Sequence, residues 1–534
     1  MEENKFYLSF TEDNRWPKEN EVLLWADDSS WNDFGYKIHC VCRLINPQDD
    51  RPFEIRMLIG FFEPESVGLD ERFKNINYKS TSLMDMLPLI NSLEVKEELD
   101  KLGFFTMLPD MQAYRTAVSS LGSEVLEQVL SVTNDVVLHK DKRTSWFDHA
   151  INTEVFTLGF MRNSEAFFAF SNADSILGGV EDEKFDGISQ KLTLKYSLEG
   201  FENTHEINLD YEQSGYIPKR INILIGKNGL GKSQALKSFC RAALRYPDNS
   251  ISLTAGDKNE RPLINRLLAI ATPGETQNTF PGERRTTQKL YYRRLSLTRN
   301  GRAKATKSIN EMLVQLARSD DLIGTSSRWE LFIEAISKVL PVNNIAVQTR
   351  NKKYIQLYKL HHGGGEQASL ERWASIDKSS DPKILLSKEL HSMSSGQLTF
   401  FKFAVLCCLY IENGSFVLLD EPETHMHPNM ISDFVELLDS LLEETGSQAL
   451  IATHSAYFVR EVSRDQVHVF SDENNRVSIV SPRLRTFGAD VESISQFIFN
   501  EDVDNRLVDK IYSRVKNLPF EKVKEQLEAE LVVA

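Results

Sequence analysis

Residues 219–243 read KRINILIGKNGLGKSQALKSFCRAA, and no other stretch restricts the fold as much. Isoleucine-rich Ile221–Ile225 has the composition of a strand buried on both faces. It passes straight into a glycine-rich turn, and the turn into a helix-like run beginning at Lys232. A buried strand, a tight turn and a helix open a parallel βα unit, so the chain should be built around a parallel sheet. GKNGLGKS, Gly226 to Ser233, fits the phosphate-loop pattern GxxxxGK[ST] completely. Gly226, Gly229 and Gly231 let the backbone curl, so that N–H groups, with Asn228 in the same cradle, point at phosphate oxygens. Lys232 should reach the terminal phosphates and the Ser233 hydroxyl should ligate Mg²⁺.

Two later segments supply the partners such a loop needs. SFVLLDEPE, Ser415 to Glu423, is an apolar run ending in Asp420 and Glu421. Both carboxylates should lie at the C-terminal tip of a buried strand, where ligands bind in open α/β sheets. Asp420 is expected in the Mg²⁺ shell, with Glu421 as the general base that polarises water. SQALIATHS follows and reads as the neighbouring parallel strand, with Thr453 and His454 at its tip. There His454 can bond both the terminal phosphate and the base, acting as a sensor.

The rest of the chain adds context. Its 534 residues allow two or three domains. Residues 1–80 alternate strand-like runs and turns, and from Ser82 to about Val137 the period becomes helical. Residues 155–217 return to a strand reading, with EVFTLGFM, EAFFAFSN, KLTLKYSL and HEINLDY. This gives an α+β N-terminal extension over 1–155, a nucleotide domain over 156–495 and a helical tail over 496–534. The five cysteines form no CxxC pair and read as buried thiols. No apolar run reaches spanning length and the start is no signal peptide, so the expectation is a cytoplasmic protein with no membrane contact.

The ordered set GKNGLGKS, MSSGQ, LLDEPE and ATHS resembles the ABC-type ATPases, in the branch with SMC, RecF and OLD-family proteins rather than transporters. That resemblance implies an α/β ABC-type head, a mixed β-sheet core with a helical subdomain, and ATP with Mg²⁺ as ligands. It places Ser394, Ser395, Gly396 and Gln397 in the signature loop, which in such proteins acts in trans on a partner's ATP within a homodimeric sandwich. It places Thr424, His425, Met426 and His427 in the D-loop at the dimer seam, with Met426 where the branch commonly has leucine. It implies a magnesium-contacting amide after the next strand, for which Gln277 is the candidate and Gln288 a competitor.

Formal charge is −15, so any nucleic-acid contact must come from a local patch. Between residues 284 and 307 lie Arg284, Arg285, Lys289, Arg293, Arg294, Arg299 and Arg302, uninterrupted by acids, with Tyr291 and Tyr292 among them. That pattern suits phosphate contact with base stacking, or docking of an acidic partner. Asp502-Val503-Asp504 is a DxD without the preceding strand a Toprim nuclease needs, and no HNH constellation is present. The architecture resembles the PtuA-type ATPases of Septu and retron anti-phage systems. That likeness implies an HNH nuclease subunit as partner and phage DNA or retron msDNA as the nucleic acid. Two other readings stand beside it: a RecF/SMC-like repair ATPase acting on DNA itself, and a nucleotide-locked scaffold with little turnover.

Overall fold

The computed structural model describes residues 6–524 apart from 27–35, 64–75, 79–80, 94–101, 141–144, 180–187, 199–202, 257–259, 272–278, 284–289, 298–307, 320, 362–364, 387–388, 425, 474–475, 500–509, 511–512 and 517–518. The N-terminal part is a five-stranded sheet in sequential order: β1 (Tyr7–Thr11), β2 (Glu21–Trp25), β3 (His39–Ile45), β4 (Pro52–Phe61) and β5 (Phe104–Met107). Only the β1–β2 pair in this sheet is parallel. Helices α1 (Leu83–Asn91), α2 (Met111–Leu121), α3 (Ser123–Val132), α4 (Ser145–Ile151) and α5 (Ser164–Asn172) accompany it, and the shared core extends from Phe6 to Ile188.

Three expectations for this part are corrected. EVFTLGFM and EAFFAFSN are not strands: residues 155–162 form π and 3₁₀ turns, and EAFFAFSN lies in α5. Burial shows why. Val155, Phe156, Gly159 and Phe160 are buried while Thr157 and Leu158 are exposed, a helical rather than an alternating spacing. The stretch from Ser82 to about Val137 is not helical throughout, because Phe104–Met107 is a strand that pairs antiparallel with β4.

The remainder is organised by a seven-stranded sheet. In chain order its strands are β8 (Ile221–Gly226), β10 (Arg266–Ala271), β11 (Tyr291–Ser296), β18 (Phe416–Asp420), β19 (Gln448–Thr453), β20 (Val467–Glu473) and β21 (Arg476–Val480). Their spatial order is β11-β10-β18-β19-β8-β20-β21, parallel throughout except for the final β20–β21 pair. One face, including Ile223, Ile225 and Leu419, packs against α7 (Ile309–Ala317), α8 (Arg328–Ser337), α10 (Ser395–Tyr410) and α11 (Asn429–Glu444). The other face, including Leu224, Ala269 and Leu418, meets α6 (Lys232–Ala243) and an antiparallel sheet of β6 (Lys191–Ser197), β7 (Thr204–Asp210) and β9 (Ser252–Ala255). Two covered faces explain the continuous apolar runs seen in the sequence.

Between α7 and α10 lie the short hairpin β12 (Leu322–Ile323) and β13 (Ser326–Ser327), helix α9 (Gly365–Ser375), and a second antiparallel sheet. That sheet has the order β15 (Tyr354–Gln356), β14 (Ile345–Gln348), β16 (Lys383–Leu386), β17 (Glu389–Ser392). Helices α12 (Ala456–Val459) and α13 (Val491–Phe499) complete the described elements. The architecture is thus mixed α/β. All five cysteines are buried. Among the described residues no helix is long and apolar enough to cross a membrane.

Candidate functional site

The tips of β8, β18 and β19 bring the expected residues together, because these strands are adjacent and parallel, with Asp420 paired in register to Ala452. Gly231 caps α6 with a φ of 93°, and a Cβ there would strike the Leu198 side chain. Only glycine accepts both the left-handed backbone and that approach. The turn therefore aims the first N–H groups of α6 into the space above the strand tips.

Lys232 is buried, and its Nζ donates to the carbonyls of Gly226 at 2.9 Å and Lys227 at 3.1 Å. Burial pushes its ammonium down to about 8, against the opposing pull of Glu421, Asp420 and Glu423. The Ser233 hydroxyl donates to Asp420 Oδ1 at 3.0 Å. Thr279 donates to the other carboxylate oxygen, Oδ2, at 2.7 Å. Two hard oxygens, Ser233 Oγ and Asp420 Oδ1, are thus held side by side in a donor set suited to Mg²⁺.

Glu421 follows with a φ of 49°, rare for a residue bearing a side chain. Its N–H is anchored to the Ala452 carbonyl at 2.9 Å. The irregular backbone takes its carboxylate off the strand axis to His454, whose Nε2 lies 2.7 Å from Oε1. The other ring nitrogen, Nδ1, is 3.2 Å from Lys232 Nζ. A single neutral tautomer satisfies both contacts, with Nε2–H donating to Glu421 and Nδ1 accepting from the ammonium. His454 therefore bridges Lys232 and the candidate base Glu421.

Glu423 completes the tip and was not among the expected site residues. Its Oε1 accepts from Thr453 Oγ1 at 2.6 Å and from the His454 N–H at 2.9 Å. It fixes where the histidine sits, and it was visible in the sequence as the last residue of DEPE. Thr279 had no comparable signal, since a threonine beyond a strand is ordinary loop composition. Beside α6, Ser197, Leu198, Gln234, Lys237, Ser238 and Arg241 line a cavity of about 470 Å³, within the range of small-molecule sites.

The signature residues stand apart from this network. Ser394 caps α10, and its hydroxyl accepts from the Gln397 N–H at 3.3 Å while Gln397 Oε1 accepts from the Ser394 N–H at 3.0 Å. Ser394 and Ser395 are exposed, and Gly396 is buried. In the D-loop, the Thr424 N–H bonds Glu421 O at 3.2 Å, and Met426 is half-buried with its N–H on Glu423 O at 2.7 Å. His427 is exposed, and His425 lies outside the described residues.

So do Gln277, Arg284, Arg285, Lys289, Arg299, Arg302, Asp502 and Asp504. Arg293 and Arg294 are placed on edge strand β11. Arg293 pairs with Glu283 at 3.4 Å and lies over the Tyr410 ring at 4.5 Å, while Arg294 reaches the Phe280 carbonyl at 3.3 Å. Tyr292 is buried, and its hydroxyl donates to Pro281 O at 2.9 Å, which removes it from the base-stacking expectation.

Residues 376–460, from before the signature loop to beyond His454, match the protein family described as "AAA domain, putative AbiEii toxin, Type IV TA system". That match takes in Asp420, Glu421 and His454 but not Gly226–Ser233. Protein ea59 of Escherichia phage lambda is 25% identical over 300 residues, which is 53% of this chain and 55% of that protein. The chain thus spans little more than half the length of this relative. Among solved structures, cbiO1 from Clostridium perfringens, described as part of the ABC transporter complex cbiONQ, aligns with 63% of this chain and 98% of its own. Its identity is 15% and its TM-score 0.29. The SMC head domain from Thermotoga maritima aligns with 55% of this chain and 99% of its own, at 14% identity and a TM-score of 0.24.

Proposed function

We propose that this chain binds Mg²⁺·ATP at Gly226–Ser233 and hydrolyses it, with Glu421 as general base, in a homodimer whose second subunit supplies Ser394–Gln397. The observation that carries the reading is the Lys232–His454–Glu421 chain of contacts beside the Ser233–Asp420 pair. The loop N–H groups and Lys232 would hold the phosphates. Ser233 and Asp420 would hold the Mg²⁺ ion, which neutralises charge on the β- and γ-oxygens. Glu421 would accept a proton from the attacking water, and His454 would keep that carboxylate oriented toward the terminal phosphate.

The trans arrangement is supported by exposed Ser395 at the start of α10, whose neighbours Ser394 and Gln397 bond each other rather than any group of the phosphate loop. Mixing Lys232→Ala and Ser395→Arg chains should rebuild one intact composite site per heterodimer. ATP hydrolysis by the mixture is expected to exceed that of either variant alone. A mixture no more active than its components, with heterodimers demonstrated by differential tags, would refute a trans site.

Lys232 gives the nucleotide site a pH signature. The ammonium of the free protein loses its proton near 8, whereas phosphate binding needs it charged. Affinity for Mg²⁺·ATP should therefore be at full strength below that pH and weaken above it, by roughly tenfold per pH unit for one linked proton. Titration with a fluorescent ATP analogue across this range checks the slope, and a constant Kd would show that Lys232 keeps its proton throughout the range.

On this reading the ATPase cycle controls a separate effector, an HNH nuclease subunit in anti-phage defence. Support for this last step is the general likeness of architecture to the PtuA-type ATPases, and co-purification of a nuclease with the tagged chain is its test.

A further inference from the structure

This acidic chain carries a second basic surface. From Pro341 to Gly365 there is no Asp or Glu, while Arg350, Lys352, Lys353 and Lys359 supply four cations. The structure puts these residues on and beside the β14–β15 hairpin, at the edge of the second antiparallel sheet. All four are exposed. Among the described residues none of the four has a carboxylate within ion-pair distance. Asp377, the acid whose field reaches Arg350, accepts two hydrogen bonds from Ser379.

Two aromatic faces lie among these charges. Tyr354 on β15 and Tyr358 in the turn that follows are 42% and 39% exposed. Tyr354 and Gln356 share one face of β15, since residues two apart in a strand point the same way. The Tyr358 hydroxyl donates to Gln356 Oε1 at 2.9 Å, which brings the second ring to that face. Lys359 Nζ lies 5.6 Å from the Tyr358 ring centroid. Below this surface Val347, Leu357 and Leu360 are fully buried, so the platform is anchored in the domain core. The turn at its end is fixed by Thr349 N–H to Lys353 O at 2.8 Å, and Lys352 adopts a φ of 59°.

We propose that the β14–β15 hairpin binds single-stranded nucleic acid, with Arg350, Lys352, Lys353 and Lys359 on the phosphates and Tyr354 and Tyr358 stacked on bases. Charge complementarity calls for a polyanion, and the paired flat rings select one with exposed bases rather than an acidic peptide. The site is separate from the nucleotide pocket and does not depend on hydrolysis. It also has a route to the signature loop. β15 is one edge of the four-stranded sheet and β17 the other, three strand spacings or about 15 Å away. β17 ends at Ser392, two residues before Ser394.

The test is fluorescence anisotropy on the full chain, using a labelled single-stranded oligonucleotide of mixed sequence, the same sequence as a duplex, and polyglutamate as competitor. The full chain should bind the single strand with a log–log salt slope of about −3, from about 0.7 per phosphate contact. Lys352→Glu with Lys353→Glu should weaken binding at least tenfold and flatten the slope by about 1.4. Tyr354→Ala with Tyr358→Ala should weaken it roughly fivefold or more with the slope unchanged. Circular dichroism and Mg²⁺·ATP binding of each variant report whether it is folded. The proposal is overturned by absence of binding in the wild-type chain, or by wild-type affinity in either double variant. Tighter binding of the duplex than of the single strand, or displacement by polyglutamate at equal charge, overturns it as well. Polyglutamate displacement would assign the hairpin to an acidic protein instead.

Discussion

Glu421→Gln is expected to lower kcat for ATP hydrolysis by about 10²–10⁴-fold while leaving Mg²⁺·ATP affinity close to wild type. The substitution keeps the length and planarity of the side chain and removes only its capacity to take a proton. The partner ring stays supported, since the His454 N–H is held by Glu423 at 2.9 Å. The Ser233–Asp420 pair lies outside the change. Backbone strain is likewise unchanged, because the φ of 49° belongs to the position and is fixed by the Ala452 carbonyl. Binding without turnover should accumulate the nucleotide-closed dimer, visible as an ATP-dependent shift in size-exclusion chromatography with light scattering. A nucleotide-locked scaffold makes the opposite forecast. If Glu421→Gln hydrolyses ATP at the wild-type rate, Glu421 is not the base and the scaffold reading gains.

Much of this site was legible from sequence because its parts are strand tips. An apolar run buried on both faces cannot place a carboxylate anywhere but its end, so FVLLDE fixes Asp420 and Glu421 at the edge of the sheet. What could not be read was the side of the tip that each group faces. That is decided by the left-handed φ at Glu421 and by Thr279, which reaches Asp420 from a different strand's loop. The N-terminal errors have another cause. EVFTLGFM and EAFFAFSN are rich in β-branched and aromatic residues, which favour strands. Yet Ala166, Ala169, Ala173 and Ile176 are buried at helical intervals, and packing against the N-terminal sheet overrides propensity there. Nor did the sequence alone distinguish the two basic stretches. Both stretches lie on edge strands, and exposed Tyr354 and Tyr358 differ from Tyr292 because the latter turns into the core shared with α6 and β10.

The joint between the N-terminal part and the part built on the seven-stranded sheet yields the other large expected effect. Glu412 follows α10 directly and is buried between two arginines. Arg115 of α2 reaches its Oε1 at 2.9 Å and Arg328 of α8 its Oε2 at 3.2 Å, with side-chain exposures of 0% and 4%. Arg115 also donates to the Leu322 carbonyl at 3.1 Å, and Arg328 to the carbonyls of Cys408 and Ile411 at the end of α10. One carboxylate thus ties the N-terminal part to the far end of the helix that begins at the signature serines. Glu412→Gln takes from both guanidiniums the one carboxylate they share, while Arg328 keeps its 3.4 Å pair with Asp321, and should cost about 3 kcal/mol. The readout is a lower urea midpoint, with earlier proteolytic release of the N-terminal part. Arg115→Met, Glu412→Leu and Arg328→Met combined should recover most of that loss, because the three charges leave together and the neighbouring Arg266–Glu165 pair at 2.8 Å stays intact. The pH dependence has a definite sign. Burial alone would raise the Glu412 pKa, but Arg115, Arg266 and Arg328 together hold it below the ordinary 4.5. Its stabilisation is therefore complete above that value and is lost as pH falls through the lower folded pKa. Wild type should lose stability more steeply than Glu412→Gln below pH 4.5. Equal midpoints for the two proteins at neutral pH would show that this buried triad does not hold the joint together.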